Sequence, residues 1–134
     1  MNELRKHRSI LIVDDDPPVA NSLRRLLRRA GLDVTVAYGG KEAISQLGSI
    51  SPAVIISDYR MPDISGLEVL RQARQICPNA ARILISGYSE AGAFDRTAEA
   101  DPSFMFFSKP WDDAALLAEV VRHTAIHNKE SQNE

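Results

Sequence analysis

The amino-acid sequence predicts a single α/β domain built on an open, parallel β-sheet. Five short runs rich in Ile, Val and Phe alternate with segments of helical spacing, which indicates a βα unit repeated five times. The runs at 10–13, 54–56 and 83–85 are apolar at every position, as strands are when helices cover both faces of a parallel sheet.

Each predicted strand lies in one of these apolar runs. The five runs are SILIV (9–13), DVTVA (33–37), AVIIS (53–57), RILIS (82–86) and SFMFFS (103–108). In the second run the polar residues Asp33 and Thr35 alternate with two valines. We therefore expect this strand at an edge of the sheet, where one face meets water.

The segments between the runs carry helix signals. In the first segment one face is apolar, and Gly31 ends the predicted helix. The residues of that face are Val19, Leu23, Leu26, Leu27 and Ala30. Pro78 ends the third helix, and Asp112 or Asp113 caps the last one. The segment 89–102 has few large apolar residues, so we expect its helix to be weakly held.

The composition excludes several classes of protein. The chain has 134 residues, a net charge of -2 and one cysteine, which rules out an internal disulfide and agrees with a reducing compartment. No apolar run approaches the roughly 18 residues of a membrane span, and the first residues lack the apolar stretch of a signal peptide. We interpret RRLLRR (24–29) as a solvated helix face. These observations predict a cytoplasmic protein that binds neither membrane nor nucleic acid directly.

Polar side chains follow four of the five predicted strands. Three aspartates at 14–16 follow the first strand, and Asp58 follows the third. Ser86 closes the fourth strand, and Lys109 comes just after the fifth. Ligands of open α/β sheets bind beyond the carboxyl ends of the strands, so we expect these side chains to form one site.

Several carboxylates at one edge of a sheet must be neutralised. At about 4 Å and an effective dielectric near 20, each pair costs on the order of 4 kcal/mol. Lys109 supplies one positive charge, and carboxylate oxygens without nearby His or Cys suit a hard divalent ion. We predict Mg²⁺, with Mn²⁺ as the alternative. An aspartate in such a site can attack a phosphoryl group, because the cation, the metal and a hydroxyl neutralise the phosphoryl oxygens.

Each of these residues also has a simpler interpretation. Asp16 precedes two prolines, and we interpret it as the N-cap of the first helix rather than as a metal ligand. Asp58 could begin a turn, since the residues after it are turn-rich. Ser86 and Lys109 could be ordinary loop residues, and Phe106 could be part of the core. The ordered combination of these residues favours a functional site over the separate explanations.

Four motifs occur in order at the ends of successive strands: VDDDP (13–17), SDYRMPDISG (57–66), ISG (85–87) and FFSKP (106–110). Together they resemble the receiver domain of two-component response regulators, in the CheY-like superfamily. The resemblance covers residues 9–126, between an N-terminal extension at 1–8 and a polar tail at 127–134 that we expect to be disordered. It implies a flavodoxin-like (βα)5 three-layer sandwich with a five-stranded parallel sheet in the order 2-1-3-4-5.

The resemblance also implies a role for each residue of the site. Asp58 matches the phosphoacceptor. Asp14 and Asp15 match the acidic pair that holds Mg²⁺, with Asp15 as the direct ligand and Asp14 acting through water. The backbone carbonyl of Arg60 matches the third protein ligand, and Lys109 matches the ammonium group that pairs with the phosphoryl group.

The resemblance implies roles for two further side chains around the phosphoryl group, and position in the sequence suggests roles for two more. Ser86 matches the hydroxyl that hydrogen-bonds it, and Phe106 stands where a switch aromatic turns inward. Phenylalanine lacks the phenolic hydroxyl that many relatives have there, so a signal through that hydroxyl is not expected. Arg60 and Tyr88 lie where large side chains can obstruct the hydrolytic water, which predicts slow self-dephosphorylation.

The implied function is signalling, in which the chain catalyses only its own phosphorylation and dephosphorylation. A histidine kinase or phosphotransfer protein would pass a phosphoryl group to Asp58. The face of the fourth and fifth helices and the fifth strand would then act on an output partner, a fused output domain or a second copy of the chain. Two alternatives stay open: a degenerate receiver acting as a constitutive interaction module, and an aspartyl-phosphate phosphohydrolase. The phosphohydrolases typically carry a second aspartate where this chain has Arg60.

Overall fold

The computed structural model describes residues 9–87 and 104–132, and for 125–132 it describes the backbone alone. Its strands are β1 (Ser9–Val13), β2 (Asp33–Ala37), β3 (Val54–Asp58), β4 (Ala81–Ser86) and β5 (Phe104–Ser108). They form one parallel sheet in the order β2-β1-β3-β4-β5. The α/β class, the strand order and the edge position of β2 are therefore confirmed, and every strand boundary lies within one residue of the predicted run.

The helices connect these strands and cover the sheet. They are α1 (Pro17–Arg29), α2 (Gly40–Ile50), α3 (Gly66–Ile76) and a C-terminal helix (Asp113–Gln132). The helix expected at 89–102 lies outside the described residues. Gly31 has a φ of 86° and follows α1 as the predicted terminator, because a residue with a Cβ is strained in that conformation.

Two apolar clusters lie on opposite faces of the sheet. One packs beneath α1 and the C-terminal helix and includes Ile10, Ile12, Leu23, Leu27, Leu116 and Val120. The other packs beneath α2 and α3 and includes Leu11, Val13, Leu47, Leu70, Ala73 and Leu84. Successive residues of β1 belong to alternate clusters, so this strand is buried on both faces. The three-layer arrangement follows from that alternation.

The first helix differs from the expectation in two details. Asp16 occupies the N-cap position, but its side chain makes no capping hydrogen bond. The first two helical positions are prolines, which have no N–H to donate, and this removes one of the donors that a cap would satisfy. The buried face runs through Ala20, Leu23 and Leu27, whereas Ala30 is exposed because the helix ends one residue earlier.

The C-terminal helix begins at the predicted cap. The Asp112 Oδ1 atom accepts the N–H groups of Ala114 at 2.9 Å and Ala115 at 3.2 Å, so Asp112 rather than Asp113 is the cap. The helix continues to Gln132, and most of the tail that we expected to be disordered is therefore helical. Lys, Glu and Gln favour helix, and neither Gly nor Pro interrupts this segment.

Candidate functional site

Three carboxylates meet at the carboxyl ends of neighbouring strands. Strands β1 and β3 pair in parallel, which brings Asp14 and Asp15, just after β1, beside Asp58 at the end of β3. One oxygen from each of the three carboxylates lies within 4.8 Å of the others. Asp14 and Asp58 are buried and Asp15 is exposed, so the cluster opens to solvent through Asp15.

Lys109 brings a positive charge to the site. Its Nζ lies 2.9 Å from Asp58 Oδ1 and 3.9 Å from Asp14 Oδ2. The pairing of β5 with β4 brings this lysine to the edge, and its N–H donates to the carbonyl of Ser86 at 2.7 Å. One ammonium group therefore faces two buried carboxylates.

Among the described residues, the buried carboxylates of the site are only partly neutralised. Burial raises the pKa of the Asp14 carboxyl from 3.8 to about 6, and the negative charges of Asp58 and Asp15 add to this. Burial also raises the pKa of Asp58, although the hydrogen bond and charge of Lys109 oppose the change. Burial disfavours the charge of Lys109, but the contact with Asp58 and the charge of Asp14 outweigh it and raise its pKa. A divalent cation would stabilise the ionised form of both buried carboxylates.

The donors present fit a hard divalent cation. All three groups of the cluster are carboxylates that can each offer one oxygen, which is the ligand chemistry of Mg²⁺ and Mn²⁺. Asp15 is exposed, while Asp14 is buried and accepts the N–H of Asp16 at 2.9 Å, which fixes the orientation of its carboxylate. Hydrogen bonds of this kind orient the groups around a bound metal.

The backbone of Asp58 is held tightly. The Ser57 hydroxyl donates to the Asp58 carbonyl at 3.0 Å, and the N–H of Tyr59 donates to Ile85 on the neighbouring strand at 2.9 Å. A Cβ on Gly66 would lie 2.1 Å from the same Asp58 carbonyl oxygen, so only glycine lets the start of α3 approach this closely. The position of the Asp58 carboxylate is therefore set by both β4 and α3.

The remaining predicted site residues lie around this cluster. Ser86 is buried at the end of β4, and its Oγ donates to the carbonyl of Gly87 at 3.4 Å. Phe106 is half-buried against the apolar cluster beneath α2 and α3. Arg60 is exposed two residues beyond the end of β3, and Tyr88 lies outside the described residues. The switch and modulating roles of these residues stay predictions.

One residue near the site has contacts that the sequence did not indicate. The Asp63 carboxylate accepts the N–H groups of Gly40 at 3.2 Å, Lys41 at 2.8 Å and Ile64 at 2.8 Å. These contacts lower the pKa of Asp63, with the Lys41 N–H as the largest cause. The sequence signal that could have predicted these contacts is the pair Gly39 and Gly40 at the start of α2. A helix without a capping side chain of its own needs a hydrogen-bond acceptor from elsewhere in the chain.

Among the described residues, no helix has both the length and the apolar character required to cross a membrane. The long C-terminal helix, which has the required length, carries several charged side chains.

Comparison with known proteins identifies the family. The family model of the response regulator receiver domain matches residues 10–121. The DNA-binding transcriptional regulator NtrC of Salmonella typhimurium is 32% identical over 123 residues, which are 92% of this chain and 26% of that protein. An uncharacterized 14.6 kDa protein of Leptolyngbya boryana is 34% identical over 85% of this chain and 88% of its own length.

Solved structures agree with this match. The crystal structure of a CheY-like response regulator receiver domain protein from Methanospirillum hungatei has a TM-score of 0.77 and 28% identity, and the match covers 92% of this chain and 98% of that one. The chain spans about a quarter of the length of the first curated relatives, 26% in each case. With its sheet in the order β2-β1-β3-β4-β5 and its match over residues 10–121, the chain belongs to the family of response regulator receiver domains of two-component systems.

Proposed function

We propose that the chain accepts a phosphoryl group on Asp58 in a reaction that requires Mg²⁺ or Mn²⁺. One observation carries the proposal: Lys109 Nζ lies 2.9 Å from Asp58 Oδ1 while the carboxylates of Asp14 and Asp15 complete a cluster within 4.8 Å. A nucleophile, a cation for the transferred group and a set of metal ligands are thus combined at one sheet edge.

In the proposed reaction one Asp58 oxygen attacks the phosphorus atom. The bond from phosphorus to the donor, a nitrogen of a phosphohistidine, breaks as the oxygen–phosphorus bond forms, and the imidazole leaves. Lys109 contacts Asp58 Oδ1, which leaves Oδ2 as the attacking atom, and its ammonium group neutralises charge on the phosphoryl oxygens. The Ser86 hydroxyl would donate a hydrogen bond to one of those oxygens and keep its proton. The metal ion would supply further charge neutralisation, held by Asp14, Asp15 and Asp58.

The proposed partners follow from this reaction. The donor is a histidine kinase or a phosphotransfer protein, and the receiver of the signal is an output partner or a fused output domain. We infer that the signalling surface consists of the helix expected at 89–102, which lies outside the described residues, the C-terminal helix and β5. A second copy of the chain is a further candidate partner for this surface. Support comes from β5, whose residues Met105, Phe106 and Phe107 are half-buried while the neighbouring strand β4 is almost entirely buried.

Phosphorylation can be tested directly by mass. The protein is incubated with acetyl phosphate, with Mg²⁺ or with EDTA, and its intact mass is measured. We expect a single phosphoryl adduct on the wild type with Mg²⁺ and none on Asp58→Asn. Asp33→Asn is the matched control, because it makes the same change at an exposed carboxylate. Asp33 begins β2, so it lies at the amino ends of the strands, away from the site at their carboxyl ends. An adduct that survives in Asp58→Asn, or none in the wild type, would contradict the proposal.

A further inference from the structure

Asp63 joins two segments that are distant in sequence. It lies in the loop 59–65, between β3 and α3, and it bonds the N–H groups of Gly40 and Lys41, 23 and 22 residues away. Gly39, the N-cap of α2, has no side chain to cap the helix. Asp63, which lies in another segment, caps it instead. An anionic acceptor at a helix N-terminus is also favoured by the helix dipole.

The loop approaches the start of α2 closely at two glycines. A Cβ on Gly39 would lie 3.2 Å from Asp63 Oδ2, and a Cβ on Gly40 would lie 2.3 Å from Cγ1 of Ile64. The two glycines therefore make room for the loop. The side chain of Asp63 also accepts the N–H of Ile64, which fixes its own orientation.

The opposite end of the same loop is fixed as well. The N–H of Gly66 donates to the carbonyl of Tyr59 at 2.8 Å, and Gly66 packs on the carbonyl of Asp58. Between the two fixed points lies Arg60, whose backbone carbonyl is the expected third metal ligand. A carbonyl has no rotatable side chain, so its place depends wholly on the path of the loop.

We propose that Asp63 is a positioning residue, which holds the loop 59–65 against α2 and thereby sets the Arg60 carbonyl for the metal. This inference rests on the proposed function, because it presumes that Asp14, Asp15 and Asp58 bind the ion. On this inference, the contact between Asp63 and the start of α2 contributes to the affinity of the site for the metal. Because coupling between sites is reciprocal, bound metal must also strengthen the Asp63 contacts with Gly40 and Lys41.

The test measures metal binding and amide exchange, neither of which needs phosphorylation. In Asp63→Ala, calorimetry should give a Mg²⁺ affinity lower by about tenfold, the low end of the loss typical when a group behind a metal ligand is removed. Asp63→Asn keeps one acceptor oxygen and should lose less. In the wild type, Mg²⁺ should slow hydrogen exchange at the amides of Gly40 and Lys41.

The matched control is Glu42→Ala. Glu42 is an acidic residue in the first turn of the same helix, and its carboxylate accepts the N–H of Tyr38 at 2.9 Å without a contact to the loop 59–65 among the described hydrogen bonds. Its Mg²⁺ affinity should stay within twofold of the wild type. An equal loss in Asp63→Ala and Glu42→Ala would overturn the inference, as would exchange at Gly40 and Lys41 that Mg²⁺ does not change.

Two further outcomes separate this inference from the proposed function. If the wild type binds Mg²⁺ and is phosphorylated while Asp63→Ala does both equally well, the inference alone is wrong. If the wild type binds neither Mg²⁺ nor Mn²⁺, the proposed function is overturned and the inference with it. Should Asp63→Ala fail to fold by circular dichroism, the exchange measurement on the wild type still decides, since it needs no variant.

Discussion

Replacing Asp14 by asparagine is expected to stabilise the metal-free protein at neutral pH. The folded state raises the pKa of this carboxyl from 3.8 to about 6 because the group is buried, with an exposed fraction of 2%. A rise of about two pKa units, at roughly 1.4 kcal/mol each, corresponds to about 3 kcal/mol that ionised Asp14 costs the folded state. Asparagine removes this cost, and its amide oxygen can still accept the N–H of Asp16.

The sign of the pH dependence follows from the direction of the pKa change. The folded state holds the Asp14 proton more tightly than the unfolded state does, so below about pH 4 the group is neutral in both and costs nothing. Stability is lost as the pH rises through about 6. The advantage of Asp14→Asn should therefore be about 3 kcal/mol at pH 7 and roughly half of that at pH 5.

Urea unfolding in EDTA at pH 5, 6 and 7 measures this difference. Asp33→Asn is again the control, because its carboxyl is exposed and its stability change should stay within about 0.5 kcal/mol of zero. Adding Mg²⁺ at about 100 times its dissociation constant should stabilise the wild type by about 2.7 kcal/mol and Asp14→Asn by less. An asparagine variant no more stable than the wild type at pH 7, or equally stabilised at every pH, would refute the reasoning.

The other predictions concern neighbouring residues. Asp15→Ala should abolish the Mg²⁺-dependent mass adduct, whereas Asp16→Ala should leave it intact and cost under about 0.5 kcal/mol in urea unfolding, because Asp16 makes no capping hydrogen bond. Equal loss of the adduct would contradict this division. Gly66→Ala should lower stability by about 1–3 kcal/mol and slow phosphorylation, since its Cβ would lie 2.1 Å from the Asp58 carbonyl oxygen. Unchanged unfolding and phosphorylation would rule that out. Arg60→Ala should lose its phosphoryl group faster than the wild type, as measured by intact mass at successive times. Slower loss would show that Arg60 does not shield the phosphoryl group.

The strands and the charged residues at their ends were predictable because their signals are local. A run such as ILIV at 10–13 is apolar at every position, and a buried parallel strand is the structure that fits it. The carboxyl ends of parallel strands lie at the same edge, and the strand order implied by the resemblance makes β1 and β3 neighbours, so the aspartates at their ends were expected to lie together. The same rule puts Lys109 at this edge, but its distance of 2.9 Å from Asp58 required the structure.

The contacts of Asp63 and Asp16 were not predictable in this way. The partners of Asp63 lie 22 and 23 residues away, and no local pattern reveals that a loop meets the start of another helix. Asp16 has the residue type and position of a cap, yet the prolines after it removed a donor that the cap would serve. Local propensity identified the position correctly, and the detailed hydrogen bonding depended on neighbours.

The close contact between Gly66 and the Asp58 carbonyl makes the two sides of Asp58 differ in how freely they can move. On the α3 side there is no room for even a methyl group, so Asp58 cannot move toward α3 unless the helix unpacks. On the β5 side the central residues of the strand are half-buried, and Lys109 contacts both Asp58 and Asp14. We therefore expect a shift of Asp58 to displace β5 more than α3.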